Sequence, residues 1–203
     1  MSQALIIIDL IEDIIGKNGL SNTSYLQAQE RHVVENANQA AAFARSHNIP
    51  VIWVKVGFAD DYQDIPAGSP MFHRAKQLNA LKLSSSGCHW VKDLDVQLRD
   101  LIMIKKGVSA FTGNQLAHWL QENHIKQVIF GGVSSLLAIQ SSARQAHDLG
   151  YQVTVIDELC AAASLELHQQ SMQALQGMAT VSSLSEFLQG NVKPSYWLLF
   201  LYC

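Results

Sequence analysis

Residues 128–156 (VIFGGVSSLLAIQSSARQAHDLGYQVTVI) are the stretch that most constrains the fold of this chain. Its opening apolar run, residues 128–130, has the length and content of a buried strand. Two glycines and two potential helix-capping serines follow. Small and apolar residues then recur at helical spacing as far as Gly150, and residues 151–156 read as a second strand. The stretch therefore predicts a βαβ unit whose Gly/Ser turn lies where open α/β sheets bind ligands.

The rest of the chain alternates between strands and helices in the same way. Strands are predicted at residues 4–8, 51–56 and 101–104, with a short strand near 178–181. The continuous apolar run of the first is typical of a parallel strand that is buried on both faces. Helices are predicted at residues 26–47, 114–123 and 165–176. The buried face of the first would contain Val33, Ala37, Ala40, Ala41 and Ala44. This alternation predicts an α/β fold with a mostly parallel sheet and helices on both faces.

Residues 57–100 lack a clear periodicity and are rich in Pro, Gly, Ser and Asp. They predict a long insert with a short helix around residues 72–81. An insert of this length in a compact α/β domain is more often a lid over a site or a subunit contact than an idle loop.

Composition limits the domain organisation and the class of partner. With 203 residues, 48% of them hydrophobic, we expect one domain over 1–189 and an apolar tail over 190–203. That tail is too short to span a bilayer and is expected to pack on the domain or on a partner subunit, with contact to a membrane surface as the minor alternative. A net charge of −3 gives no argument for binding nucleic acid or an anionic membrane. The apolar start looks like a first strand, not a signal peptide.

Three cysteines at wide spacing match neither a disulfide framework nor a zinc pattern. This usage favours a reducing, cytoplasmic location.

Three predicted strands end in residues that could carry chemistry: Asp9, Lys105 and the turn at residues 131–135. If the strands are neighbours, these groups meet at one edge of the sheet. The carboxylate and the ammonium would hold each other charged, and the N–H groups at the helix start would favour a developing oxyanion. Taken singly, an Asp in this position is often a loop cap and a Lys is usually solvated. The spacing alone leaves both a catalytic and a structural interpretation open.

Three motifs together resemble the isochorismatase-like hydrolase (cysteine hydrolase) superfamily, over about residues 4–187. They are ALIIIDL with Asp9, IKKGVSAF with Lys105, and GGVSSLLAIQSSARQAHDLGYQVTVIDELCAA. The resemblance implies a three-layer α/β/α (Rossmann-like) domain with a six-stranded sheet, assembled as a homo-oligomer, a dimer or a tetramer. It also implies that Asp9 and Lys105 are catalytic and that the peptide bond between Val133 and Ser134 is cis.

Position 138 is the main departure from the family pattern. The family cysteine, whose thiolate attacks a carbonyl or nitrile carbon, aligns with Ala138, and alanine can neither attack nor transfer a proton. None of Cys88, Cys160 and Cys203 takes over that role by its sequence position. Isochorismatases proper, within the same family, also carry a small residue there, and their Asp is thought to act as an acid toward a vinyl ether.

The leading hypothesis is therefore a hydrolase of a small, anionic metabolite that works without a cysteine. Asp9 would be the general acid, Lys105 would orient the substrate, and the N–H groups of residues 134–138 would bind an anionic oxygen. The expected substrate-binding residues are Ser109, Phe111, Val133, Ser134, Ser135 and Trp90. No metal and no cofactor are expected, since the histidines of the nicotinamidase metal cluster have no counterpart in residues 55–62. Of the eight histidines, only His73 and His89, in the insert, are candidates for a role at the site.

Two other functions stay open. The protein could be an amidase whose cysteine is replaced by Ala138, or a non-catalytic family member that binds a small acid. A general nucleotide-binding domain is disfavoured, because neither GxGxxG nor GxxxxGK[ST] follows a strand.

Overall fold

The structure, a computed structural model, describes residues 2–192. Its strands are β1 (Gln3–Ile8), β2 (Val51–Val56), β3 (Leu101–Lys105), β4 (Gln127–Val133), β5 (Gln152–Ala161) and β6 (Thr180–Ser182). Its α-helices are α1 (Glu12–Ile15), α2 (Tyr25–Glu30), α3 (Val33–Ser46), α4 (Pro70–Gln77), α5 (Leu116–Glu122), α6 (Gln140–Asp148), α7 (Leu165–Gln173) and α8 (Leu184–Leu188). A π-helical turn, Ser135–Ile139, leads directly into α6.

The six strands form one sheet in the order β3-β2-β1-β4-β5-β6, and every neighbouring pair is parallel. The strand order changes direction between β1 and β4, so the chain leaves these two strands toward opposite sides. In open α/β sheets such a switch point opens a crevice beyond the carboxyl ends of the strands. The predicted parallel α/β sheet is confirmed, and the candidate residues belong to this edge.

Strand β1 shows why the fold has three layers. Ala4, Ile6 and Ile8 belong to a core cluster that includes residues of α5, α6 and α7. Leu5 and Ile7 point the other way, into a cluster with α3 and α8. Because successive side chains of a strand face opposite sides of the sheet, an unbroken apolar run is the sequence of a strand covered on both faces.

The predicted long helix at residues 26–47 is two helices, α2 and α3. His32 separates them with a left-handed backbone, φ 53°. The five residues predicted for the inner face of α3 are all buried, so that face is confirmed. Helices α1 and α8 were not predicted, because four and five residues are too few to show a helical period.

The βαβ unit at residues 128–156 is present, with two differences from prediction. Strand β4 continues through both glycines to Val133 instead of ending at residue 130. The predicted apolar helix face is partly wrong: Ile139 and Ala143 are buried, whereas Leu136 and Leu149 are 44% and 49% exposed. The π-helical turn contains extra residues per turn, so a 3.6-residue period cannot be carried through it.

The insert at residues 57–100 forms a small third core cluster together with Ile11 and Val56. It contains α4, a short 3₁₀ turn (Ser86–Cys88) and an edge-to-face contact of Phe58 with Phe72 at 4.9 Å. The predicted apolar tail lies outside the described residues from position 193 onward. Within residues 2–192, no helix is long and apolar enough to cross a membrane.

Candidate active site

Asp9 directly follows β1 and has a left-handed backbone, φ 61°, a conformation that Asp tolerates better than most residues. One carboxylate oxygen, Oδ1, accepts a hydrogen bond from the Val56 N–H at 2.7 Å. The other, Oδ2, lies 2.8 Å from Nζ of Lys105. The side chain is buried. Burial raises the pKa of the Asp9 carboxyl above its ordinary value, while Lys105 and the Val56 N–H act in the opposite direction.

Lys105 ends β3, which is not a neighbour of β1, because β2 lies between them. Of the three strands that carry the candidate residues, only β1 and β4 are therefore neighbours. The long lysine side chain spans β2 to reach Asp9, and its ammonium group also donates to the carbonyls of Gly107 at 3.1 Å and Val108 at 2.7 Å. An ammonium group has three hydrogens, so all of them are engaged.

The turn after β4 supplies the third part of the site. The Val133–Ser134 peptide bond is cis, at the position implied by the resemblance. Ser134 caps the π-helical turn, its Oγ accepting from the Leu137 N–H at 3.3 Å and its carbonyl from the Ile139 N–H at 3.1 Å. Two N–H groups at the start of this helical segment are thus engaged within the turn.

These three elements meet at one cavity of about 120 Å³. Asp9, Lys105, Val133, Ser134 and Ala138 all line it. Ala138, which the resemblance aligns with the family cysteine, is buried. This position is part of the cavity wall, together with the buried ion pair.

Two further walls were not predicted. Hydroxyl groups come from the segment before α2, and apolar side chains come from the insert and its surroundings. The first wall consists of Ser21, Thr23 and Ser24, and the second includes Met71, Phe72, Ala75 and Leu81. The sequence offered one indication of the first wall, the hydroxyl-rich segment that precedes a predicted helix. The insert has no periodic pattern, so only its general role as a cover was predictable.

Four of the predicted substrate-binding residues are not among the described residues that line the cavity. Ser109 is buried and its Oγ accepts from the Phe111 N–H at 3.3 Å. The Phe111 ring packs edge-to-face on Phe130 in the core, with centroids 6.4 Å apart. These two residues shape the turn after Lys105 and its packing instead of contacting the cavity.

Trp90 and Ser135 also lie elsewhere. The Trp90 ring is 6.2 Å from the ring of Trp53 and 5.0 Å from Nζ of Lys55. It borders a separate cleft. Ser135 is fully buried, and its hydroxyl is bonded to His168. Neither Trp90, predicted as a wall of the pocket, nor Ser135, predicted to bind substrate, is among the described residues that line the cavity.

The described cysteines do not offer a nucleophile to the cavity. Cys88 and Cys160 are fully buried and outside its lining. Burial raises the pKa of the Cys88 thiol to about 11 and that of the Cys160 thiol to about 12. Cys203 lies outside the described residues.

The two histidines singled out in the insert lie apart from the cavity. His73 contacts the Ala67 carbonyl with Nε2 at 2.7 Å, and His89 is exposed beside the cleft that Trp90 borders. Across residues 2–192, no group of three or more His, Cys, Asp or Glu side chains is arranged to hold a metal ion.

The fold and the cavity define a class: three-layer α/β/α domains that carry a pocket at the carboxyl edge of a parallel sheet. Comparison with known proteins narrows the class to a family. The family model described as Isochorismatase domain matches residues 3–186. The chain belongs to this isochorismatase family of hydrolases.

Similar proteins differ in what is known of them. The uncharacterized isochorismatase family protein YecD of Escherichia coli O157:H7 is 31% identical over 91% of this chain and 94% of its own. The ureidoacrylate amidohydrolase RutB of Acinetobacter baylyi is 26% identical, covering 83% and 75%. A pyrazinamidase/nicotinamidase structure from Streptococcus mutans superposes with a TM-score of 0.75 at 26% identity, covering 89% and 100%.

Proposed function

We propose that this protein hydrolyses a small anionic metabolite by acid–base chemistry at Asp9, without a covalent intermediate. The observation that carries the proposal is the buried Asp9–Lys105 ion pair facing a cavity whose nucleophile position holds Ala138. A family hydrolase with this pair and no thiol at position 138 retains a proton donor but lacks a group that could form a thioester.

The charges of the cavity fit an anionic substrate. Burial raises the pKa of Asp9, which favours its protonated form. Once Asp9 is protonated, Lys105 carries the remaining positive charge and can attract a carboxylate. A substrate anion and the acidic form of Asp9 therefore stabilise each other in the same cavity.

A vinyl ether is the substrate type that this machinery suits. Asp9 gives its proton to the terminal alkene carbon, and water adds to the resulting oxocarbenium carbon. The C–O bond to the leaving group then breaks, releasing a ketone and an alcohol, and a proton returns to Asp9. Lys105 orients the substrate, and the serine and threonine hydroxyls of the segment before α2 contact its polar groups.

The test is turnover of isochorismate and related enol ethers by the wild-type chain and by Asp9→Asn. We expect product from the wild type and a loss of roughly 10²- to 10⁴-fold in kcat in the variant, the usual contribution of a general acid. Asp64→Asn is the matched control, since Asp64 pairs with Lys106 at 2.6 Å outside the cavity lining. It should keep wild-type activity. Absence of turnover of every enol ether by the wild type contradicts the proposal.

The amidase alternative is favoured by one observation: Ala138 lines the cavity that Asp9 and Lys105 share, so a cysteine there would face both. Two of the similar proteins are named as an amidohydrolase and a nicotinamidase. Ala138→Cys should then hydrolyse an amide, ureidoacrylate or nicotinamide among those screened, and Ala138→Ser is its control. Activity on amides only in the cysteine variant, with no enol ether turned over, would select this alternative.

The wild-type protein and the same enol ethers also test the non-catalytic alternative. Isochorismate that binds to the wild type, as followed by calorimetry, but is never converted would identify a binding protein.

A further inference from the structure

A chain of four polar side chains, Ser135, His168, Asp157 and Arg31, runs beside the cavity without lining it. Ser135 Oγ lies 2.7 Å from His168 Nδ1, and His168 Nε2 lies 3.0 Å from Asp157 Oδ1. Arg31 Nη2 donates to the second oxygen of Asp157 at 2.7 Å. Ser135 and His168 are 0% and 1% exposed, so the first half of the chain is sealed from water.

The direction of these hydrogen bonds follows from the charge of Asp157. Hydrogen bonds from His168 and Arg31 lower the pKa of the Asp157 carboxyl to about 2, so it is ionised and only accepts. His168 therefore donates from Nε2 to Asp157, and its Nδ1 shares a hydrogen bond with the Ser135 hydroxyl. The order of residues resembles that of a Ser–His–Asp triad. However, Ser135 is fully buried, so its oxygen cannot reach a substrate carbon.

At one end of the polar chain, Ser135 belongs to the π-helical turn that contains Ala138. Ser135 opens the π-helical turn, next to Ser134 in the cavity wall. Helix α7 forms two hydrogen bonds with Ser135. His168 bonds to its hydroxyl, and Ser171 Oγ donates to its carbonyl at 2.7 Å. Side chain and backbone of the same residue are thus fixed by one helix.

At the other end of the polar chain, Arg31 belongs to α2. The N-terminal cap of this helix, Ser24, lines the cavity. Arg31 is the C-terminal cap of α2, and besides Asp157 it donates from Nε to the Cys160 carbonyl at 2.8 Å. Helix α2 buries only Ala28, so apolar packing fixes it weakly. The hydrogen bonds of Arg31 to Asp157 and to the Cys160 carbonyl therefore attach the C-terminal end of this helix to β5.

We propose that this polar chain is a positioning device that ties two walls of the cavity together, with His168 as its central positioning residue. It joins the turn containing Ala138 to the hydroxyl wall before α2 through a continuous series of side-chain hydrogen bonds, buried at Ser135 and His168 and partly exposed at Asp157. The role goes beyond the reaction proposed above, because it concerns the shape of the cavity whatever the substrate is.

The experiment uses Ala138→Cys as a reporter in the full-length chain, with Cys203→Ser to remove the one cysteine outside the described residues. The rate of alkylation by iodoacetamide is measured against pH, and its midpoint reports the pKa of the new thiol. Asp9 and Lys105, the charged groups lining the cavity with that thiol, stay unchanged. Because thiol pKa values respond to nearby charges and N–H groups, a displaced turn shifts the midpoint.

Ser135→Ala and Arg31→Ala are each added to the reporter. We expect both to shift the midpoint by half a pH unit or more, although Arg31 belongs to a different element from the thiol. Ser135→Thr keeps the hydroxyl and should restore the reporter's own midpoint. Arg144→Ala is the control: Arg144 lies on α6 itself and bonds to the Ala174 carbonyl at 3.0 Å, but is not a member of the chain.

A purely structural role would lower Tm and leave the native-state midpoint unchanged. Rates are therefore taken at low urea, in the range where they do not depend on urea, which identifies reaction from the folded protein. An unchanged midpoint in both Ser135→Ala and Arg31→Ala overturns the proposal. If Arg31→Ala does not fold, Ser135→Ala, which removes a single oxygen atom, decides alone. The thiol assay needs no turnover, so its outcome is independent of whether the hydrolase proposal holds.

Discussion

At the scale of single residues, Asp9 and Lys105 depend on each other. Both side chains are buried, and neither could remain charged there alone without a large desolvation cost. The left-handed backbone of Asp9 adds local strain, which persists only where surrounding contacts enforce it. A pair of this kind contributes more to function than to stability, because apolar residues of similar size would fill the same space at lower cost.

Asp9→Asn should lower the free energy of unfolding by about 3–5 kcal/mol, the usual cost of leaving one buried charge without its partner. The double variant Asp9→Asn/Lys105→Met should recover most of that loss, because it removes both charges. Urea unfolding at pH 7 measures both. A double variant no more stable than the single one would show that the pair itself stabilises the fold.

At the scale of elements, the contact between β1 and β4 is closer than side chains would allow. Gly132 has φ +126°, and a Cβ at this position would lie 2.1 Å from the Ile8 carbonyl oxygen. The strand can therefore pass β1 and enter the cis turn only with glycine here.

Gly132→Ala should consequently be strongly destabilising, because neither its backbone angle nor the neighbouring backbone can accommodate a methyl group. Gly150→Ala is the matched comparison: it has φ +86° but nothing within 4 Å of the added Cβ, so only backbone strain of about 1–2 kcal/mol is expected. Urea unfolding compares the two. Equal losses in both variants would show that the clash with β1 is relieved by a small movement.

The elements that the sequence predicts well are those whose pattern is purely local. The apolar runs of β1 and β2 and the alanine face of α3 need only side-chain period and burial, and they are confirmed. The break at His32 and the π-helical turn are set by contacts with distant parts of the chain. Arg31, for example, is held by the carbonyl of Cys160, 129 residues away. No local period contains that information.

At the scale of the whole molecule, the site too consists of residues that the sequence pattern predicts and residues that only tertiary packing places. Residues at the carboxyl ends of strands, Asp9, Lys105 and Ser134, were predictable because parallel strands bring those ends to one edge. Trp90 and the apolar wall from α4 were not, since the path of an irregular insert depends on tertiary packing. The polar chain from Ser135 to Arg31 joins four separate elements, and its members are unremarkable singly.

Acid stability should depend on Asp157. Its native pKa, about 2, lies below the value of about 3.9 in an unfolded chain, so its contribution is fully present above that unfolded value and is lost as pH falls through 2. The Tm difference between the wild type and Asp157→Asn should therefore be constant from pH 7 to 5 and should shrink below pH 4. Thermal unfolding followed by circular dichroism measures it. A difference that stays constant down to pH 2.5 would contradict the assignment.

The buried ion pair also sets the proton balance of ligand binding. With its two opposite charges 2.8 Å apart, the pair has no net charge. An anion that enters the cavity therefore adds a negative charge that nothing balances. Protonation of Asp9 restores neutrality, and its burial already favours that proton. Binding of the proposed anionic substrate should thus be coupled to uptake of a proton from solvent, and its affinity should weaken as the solution becomes more alkaline.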